Sequence, residues 1–353
     1  MIKADRLITW TVILLFSAAA GVFFNLAVLP YGRPMIGAVF GLFTGVPMLA
    51  FMRGMFLSGL QQRLRQLAFP LYAPASLAIY VAMIAASTAL AGSLLWALGA
   101  MPGHSFWEVA IVSPVDLIYA LSILAIIMFM LRVRDLIGGE VFLSLLTGRY
   151  HKPKSEERIF LFIDVVGSTQ FAERFGDLRT QEYLGRFFAS LAEPVRRYRG
   201  AIDDYVGDLA IVTWPLQRGI DDARCVRCVF ALMEQISQDA KTWRSQFGTV
   251  PRFRAALHGG FVVAGEIGVD RHKIAYFGDT VNTTARLETL CRDLDEPVLI
   301  SAEVLSRIKA LPADVRATNL GLHDLRGRDH PLAVAALSPV PAAQLAAAVR
   351  VAA

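Results

Sequence analysis

The chain has 353 residues, 55% of them apolar and only 18% charged, with a mean hydropathy of +0.48. A soluble chain usually carries nearer a quarter charged residues, so part of this one is built for apolar surroundings; disorder, collagen and a disulfide scaffold are excluded by the same composition and by only three cysteines. The net charge of +5 would suit a nucleic-acid partner, but residues 1–150 hold nine Lys/Arg against five Asp/Glu, so most of the excess belongs to the apolar half.

Four membrane spans are predicted in that half, over residues 7–29, 34–52, 71–100 and 109–131, because each run approaches the roughly 20 apolar residues that cross a bilayer as a helix. Gly37, Gly41, Gly45 and Pro47 interrupt the second, which membrane helices tolerate. Lys3 and Arg6 precede the first span, Arg53, Arg63 and Arg65 separate the second and third, and Arg132 and Arg134 follow the fourth. The opposite side has only Arg33 and the loop around His104. Lys and Arg favour the cytoplasmic side, so both chain ends are expected there, in a multi-pass protein of the inner membrane. The first apolar run is long and shows no small-residue cleavage site, so no cleaved signal peptide is expected.

Asp116 is the single acid within a span. A ligand or signalling role and a wetted structural role at the interface both stay open for it. Gly21, Gly41 and Gly45 suit close helix packing, and an oligomer would use them. Residues 132–157 are expected to link the membrane domain (1–131) to a second domain (158–337). Arg132–Leu146 has helical spacing, interrupted by Gly138-Gly139, and in a dimer would pair with its copy as a signalling helix. His151, Lys152 and Lys154 are expected to face headgroups or water.

From residue 158 the pattern alternates strand and helix. Strands are predicted over 159–165, 201–205, 209–214, 252–263, 273–277, 297–300, 317–322 and 331–337, and helices over 180–199, 220–247, 280–291 and 302–309. The order suggests a sheet covered by helices on one face, of the α+β ferredoxin-like type. Residues 338–353, rich in Ala, Pro and Val, read as a loose tail.

Asp164 ends an apolar strand and precedes Val165-Val166-Gly167-Ser168-Thr169. A carboxylate there offers a hard-cation ligand, and the small-residue turn offers backbone N–H groups for phosphate. Asp208 sits at the tip of the 201–214 hairpin. Two such carboxylates suit a pair of Mg²⁺ ions that share their coordination with substrate phosphates, although Asp is also common at strand ends and turns for purely local reasons. Asn282 and Arg286, four apart on a helix, share a face, either as ribose and phosphate contacts or as a solvated surface. Cys225-x-x-Cys228 has half of a zinc spacing with no second pair, and His258 in a Gly-rich strand reads as packed. No Ser-His-Asp arrangement or phosphate-loop pattern is present.

Five ordered segments together resemble the class III nucleotidyl (adenylyl and guanylyl) cyclases. They are Phe162–Thr169, Tyr205–Asp208, Leu257–Gly260 with Gly265–Gly268, Gly278–Arg286, and Leu325-Arg326-Gly327. The resemblance covers about residues 157–337, and the membrane half is similar to bacterial members that carry a small multi-span module. It implies that Asp164, Asp208 and the backbone carbonyl of Val165 hold two Mg²⁺ or Mn²⁺ ions per site. It further implies that Asn282 orients the ribose and Arg286 stabilises charge on the α-phosphoryl group. Gly167, Ser168, Thr169 and Arg326 would bind phosphates, with Arg326 standing where the family usually has lysine. Each site would be shared across a homodimer.

Base selection departs from the family. Asp204 and Ala275 occupy the two selecting positions and match neither the usual adenine nor the usual guanine pair. Asp204 would accept hydrogen bonds from guanine N1 and N2, whereas similar domains on bacterial membrane modules usually make cyclic AMP. The resemblance thus favours ATP, in a membrane-bound adenylate cyclase making cyclic AMP and pyrophosphate, with regulation through its membrane domain as a further expectation. The alternatives are a guanylate cyclase and a non-catalytic nucleotide-binding membrane receptor. No nucleic-acid partner is expected.

Overall fold

The structure is a computed structural model that describes residues 2–28, 33–65, 69–137, 148, 150, 152–268, 273–328 and 330–340. It divides into two compact units, Met1–Leu136 and Ile137–Ala353. The apolar half forms helices α1 (Ile2–Val28), α2 (Pro34–Met52), α3 (Ser58–Arg65), α4 (Phe69–Ala97), α5 (Phe106–Ala110) and α6 (Pro114–Ile137). Among the described residues, four stretches are long and apolar enough to cross a bilayer: Trp10–Val28, Pro34–Met52, Pro74–Ala97 and Phe106–Arg134. Most of the expected signalling helix and nearly all of the expected tail lie outside the described residues.

The glycines of the first unit pack α1 directly on α2. A β-carbon added at Gly21 would lie 2.0 Å from the Gly37 carbonyl oxygen, and one at Gly41 would lie 2.2 Å from that of Ser17. Only a missing side chain allows two backbones this close, so the glycine seam works within one chain. Gly41→Leu is therefore expected to force the two helices apart and to destabilise the full-length protein by about 1–3 kcal/mol or more. Thermal unfolding in detergent checks this, and an unchanged midpoint would contradict the seam. Asp116 caps α6. Its carboxylate accepts from the Ser113 hydroxyl (2.8 Å) and backbone N–H (3.3 Å), while its own N–H donates to the Ser113 hydroxyl at 3.1 Å. This is the reciprocal pairing of a capping box, and it supports the structural reading of that acid.

The second unit is an eight-stranded sheet of α+β, ferredoxin-like type. Its strands are β1 (Lys154–Val165), β2 (Ala201–Val206), β3 (Leu209–Pro215), β4 (Phe253–Ile267), β5 (Lys273–Phe277), β6 (Val298–Ser301), β7 (Val315–His323) and β8 (Leu332–Pro339). The order is β2-β3-β1-β4-β6-β8-β7, and β5 pairs with the far end of β4. Only β4 and β6 run parallel. Alternation along β1 decides which layer each residue joins. Ile159, Leu161 and Ile163 face a core built with α8 (Asp177–Arg197), α9 (Arg224–Gln238) and α10 (Ala240–Phe247), where Phe187, Leu191, Leu232 and Trp243 are buried. Phe160 and Phe162 face the other way, with Val262 and Val281.

Helices therefore cover both faces, not one. The second cover is α11 (Asp279–Asp293), whose Leu287 and Cys291 bury against Ala256 and Leu299. The expected single helix over 220–247 is also broken. Asp222 and Ala223 take left-handed backbone angles (φ 52° and 49°), and Asp239 separates α9 from α10. The apolar spacing continues through both breaks because the same core lies beneath all the pieces, so periodicity alone does not reveal them.

Candidate active site

β1 is the inner strand that carries Asp164 to the end of the sheet. It pairs with β3 on one side and β4 on the other, setting Asp164 opposite Leu209 and Arg254. The β2–β3 hairpin turns at Gly207 (φ 64°), where the absence of a side chain permits the left-handed angle, and it delivers Asp208 beside Asp164. The Val165 N–H donates to the Asp208 backbone carbonyl at 3.3 Å and locks the two strand ends together. Gly167, also left-handed (φ 79°), starts α7 (Ser168–Phe175). The Ser168 hydroxyl donates to the Asp208 carboxylate, so its side chain orients an acid. The backbone N–H groups of the Gly167–Thr169 turn stand at the start of that helix, an end of a helix that favours anions.

Burial, then the negative charges of Asp208 and Glu288, push the Asp164 carboxyl up to about 7, against the opposing pull of Arg254 and Arg292. Glu288 is itself raised, first by burial. Neither Asp164 nor Asp208 forms an ion pair among the described residues. Two converging carboxylates, neither of them held by an ion pair among the described residues, fit a hard divalent cation, which takes few protein ligands and completes its shell with phosphate oxygens and water. No group of three or more His, Cys, Asp or Glu able to hold a metal occurs among the described residues, so substrate and backbone oxygens would supply the rest.

A second set of residues gathers around the first turns of α11. Asn282 is exposed there and Arg286 is half-buried. The Arg326-Gly327 turn lies beside it: a β-carbon at Gly327 (φ 74°) would meet the Arg286 guanidinium at 3.2 Å. Arg328 reaches Asp279 at 3.4 Å. Arg286 and Arg328 each keep one buried Nη1 without a hydrogen-bond partner. Guanidinium N–H groups left over in this way suit the oxygens of a polyphosphate.

The two sets do not meet. At about 100° per residue, Asn282 and Arg286 share one face of α11, while Glu288 and Arg292 lie roughly 80–120° round the helix from Asn282 on the side away from Arg286. The latter pair is the one whose charge acts on Asp164. No hydrogen bond or ion pair joins Asn282 or Arg286 to Asp164 or Asp208 among the described residues.

Asp204 and Ala275 lie on β2 and β5. The Asp204 carboxylate is not a lone acceptor, because Lys273 donates to it at 2.6 Å. Lys273 sits two residues before Ala275 on the same strand and so on the same face. Sequence reasoning missed Lys273, Glu288 and Arg328. The alternation of β5 was a usable signal for Lys273, but its partner lies 69 residues away. Cys225 and Cys228 are free and buried in the core, and burial pushes the Cys225 thiol up to about 12, which suits neither zinc nor redox work. His258 is buried, bonds to the Ser301 hydroxyl at 2.9 Å, and is lowered to about 4, chiefly by burial. It is a packed, neutral histidine.

Comparison with known proteins identifies the family. The family described as the adenylate and guanylate cyclase catalytic domain matches residues 150–335. Adenylate cyclase 2 of Rhizobium meliloti (strain 1021) is 52% identical over 334 residues, covering 94% of this chain and 92% of that protein. Adenylate cyclase 1 of the same organism is 27% identical over 176 residues, 49% of this chain and 26% of that protein. A solved structure of a bacterial light-regulated adenylyl cyclase shares the fold, with a TM-score of 0.53 at 18% identity over 64% of this chain and 66% of that one. The five motifs, the sheet that carries them and a family match over more than half of the sequence lead to one conclusion: the chain belongs to the class III adenylate and guanylate cyclase family.

Proposed function

We propose that this chain is a membrane-bound adenylate cyclase that converts ATP to 3′,5′-cyclic AMP and pyrophosphate at sites shared by two copies. The observation that carries the reading is the 52% identity to Adenylate cyclase 2, which runs through 94% of the chain and so includes the apolar helices as well as the catalytic unit. Asp164, Asp208 and the Val165 carbonyl would hold two Mg²⁺ or Mn²⁺ ions. When bound, such ions make the ribose 3′-hydroxyl a better nucleophile and neutralise the triphosphate.

The remaining work falls to side chains. Asn282 orients the ribose, and Arg286 meets the charge that develops on the α-phosphoryl group. Arg326 and the backbone N–H groups of Gly167, Ser168 and Thr169 take the other phosphate oxygens. Because Asn282 and Arg286 make no hydrogen bond or ion pair to the carboxylates of their own chain among the described residues, a second copy would present them, and a symmetric homodimer would close two sites. The Lys and Arg flanks orient the catalytic unit to the cytoplasm, where the membrane helices would regulate it.

The Asp204–Lys273 pair bears on the base. A free carboxylate would take both N1–H and N2–H of guanine, whereas here one of its oxygens already holds an ammonium. An ammonium and a carboxylate side by side offer one donor and one acceptor, which the N1 and N6 positions of adenine complement. Lys273→Ala is expected to lower kcat/KM for ATP about tenfold, the worth of one charge-assisted hydrogen bond, and to raise relative use of GTP. Assay of the full-length protein with both triphosphates, with Mg²⁺ and with Mn²⁺, tests the whole reading. Preference for GTP would make it a guanylate cyclase, and no turnover with either would leave a nucleotide-binding receptor.

A further inference from the structure

Among the membrane helices lies a cavity of about 640 Å³, bounded by α1, α2, α4, α6 and the loop before α5. This is within the range of sites that enclose a small molecule. The close α1–α2 seam leaves room on one side, and α6 stands across it, tied by the Tyr119 hydroxyl to the Ala20 carbonyl at 2.8 Å. Phe24, Phe40, Ile84 and Leu124 give the walls an apolar character. Several polar side chains break it, and two of them are buried without a partner among the described residues. Ser17 and Asn25 both line the cavity and are 2% and 5% exposed. The Ser17 hydroxyl oxygen and the Asn25 carbonyl oxygen have no hydrogen-bond partner among the described residues.

Inside a bilayer no surrounding solvent supplies the missing partner, so a buried polar atom there has to be met by protein, water or ligand. A lipid tail would fill the space and leave both oxygens unmet. The acids of the lining, Glu108 and Asp116, accept from Ser105 and Ser113 and share it with Arg33 and His104, so groups of both signs line the cavity. We infer that it binds a small neutral amphipathic molecule, with an apolar body against the aromatic walls and a hydroxyl group that donates to the Asn25 carbonyl oxygen or bonds to the Ser17 hydroxyl.

Full-length protein in lipid nanodiscs, irradiated with the photoreactive alcohol 3-azioctanol and mapped by mass spectrometry, tests this. Labelling is expected on cavity residues of α1, α2 and α6, to be saturable, and to be competed by 1-octanol about tenfold better than by n-octane. Asn25→Leu should erase that difference between competitors. Ala120→Phe, on the opposite wall, should abolish labelling by filling the space, and it keeps the test open should the Asn25 variant not fold. Equal competition by octane would identify a lipid-tail site and overturn the inference. Absence of saturable labelling in the folded wild type would identify a water-filled cavity and do the same.

Discussion

Asp164→Asn is expected to cost about a thousandfold or more in turnover while making the metal-free protein more stable at neutral pH. Both effects come from one placement. The carboxyl is held up at about 7 by burial and by its acidic neighbours, against an ordinary value near 4 in the unfolded chain. Between roughly pH 4 and pH 7 the folded state therefore binds more protons than the unfolded state. The stability due to protonated Asp164 is fully present below about pH 4 and is lost as pH rises through about 7. Asparagine keeps the shape without the charge, so this loss disappears. The group is only half-buried, so the gain above pH 7 is on the order of a few degrees in unfolding midpoint.

Thermal melts of wild type and variant from pH 5 to pH 8.5, without divalent ions, check the sign. A wild-type midpoint that did not fall relative to the variant as pH rose would contradict the assignment. Mn²⁺ should narrow the gap by stabilising the ionised pair in the wild type alone, and its binding near pH 6.5 should release protons.

Co-expression of Asp164→Ala with Asn282→Ala is expected to restore activity that neither variant has by itself. If each site takes its carboxylates from one copy and its asparagine from the other, the heterodimer carries both lesions in one site and none in the other. With random assortment, half the dimers hold one intact site, so about a quarter of wild-type activity returns. The recovered activity should be measured on full-length protein of matched amount. No recovery, with folded variants that still associate, would place all four side chains in one copy and overturn the shared site. Arg286→Ala in place of Asn282→Ala should behave in the same way, because both residues lie on the same face of α11.

Much of this was readable from local sequence. Asp164 and Asp208 announce themselves because each ends or turns a strand, and strand ends are marked by short-range pattern. Lys273 on β5 was predicted in its strand, but not as the partner of Asp204. That pairing depends on how the β4–β5 hairpin folds over the sheet, which spacing along the chain does not encode. Glu288 looked like any polar helix residue until α11 was found on the second face of the sheet, where its side toward β1 is half-buried. The glycines of α1 and α2 were visible as packing residues, yet their partner, another copy or the neighbouring helix, is a matter of tertiary structure.

The position of β1 in the sheet has a consequence for control. From Arg158 to Asp164 this strand is hydrogen-bonded to a neighbour on each side, and that stretch is among the most deeply buried of the unit. Its amides should exchange with solvent only on global unfolding, so Asp164 at its end is mounted on the stiffest part of the domain. A signal cannot switch such a residue by loosening its support without melting the enzyme. In the proposed shared site, the adjustable part would be the approach of the opposing asparagine and arginine, which would make distance between copies the natural throttle.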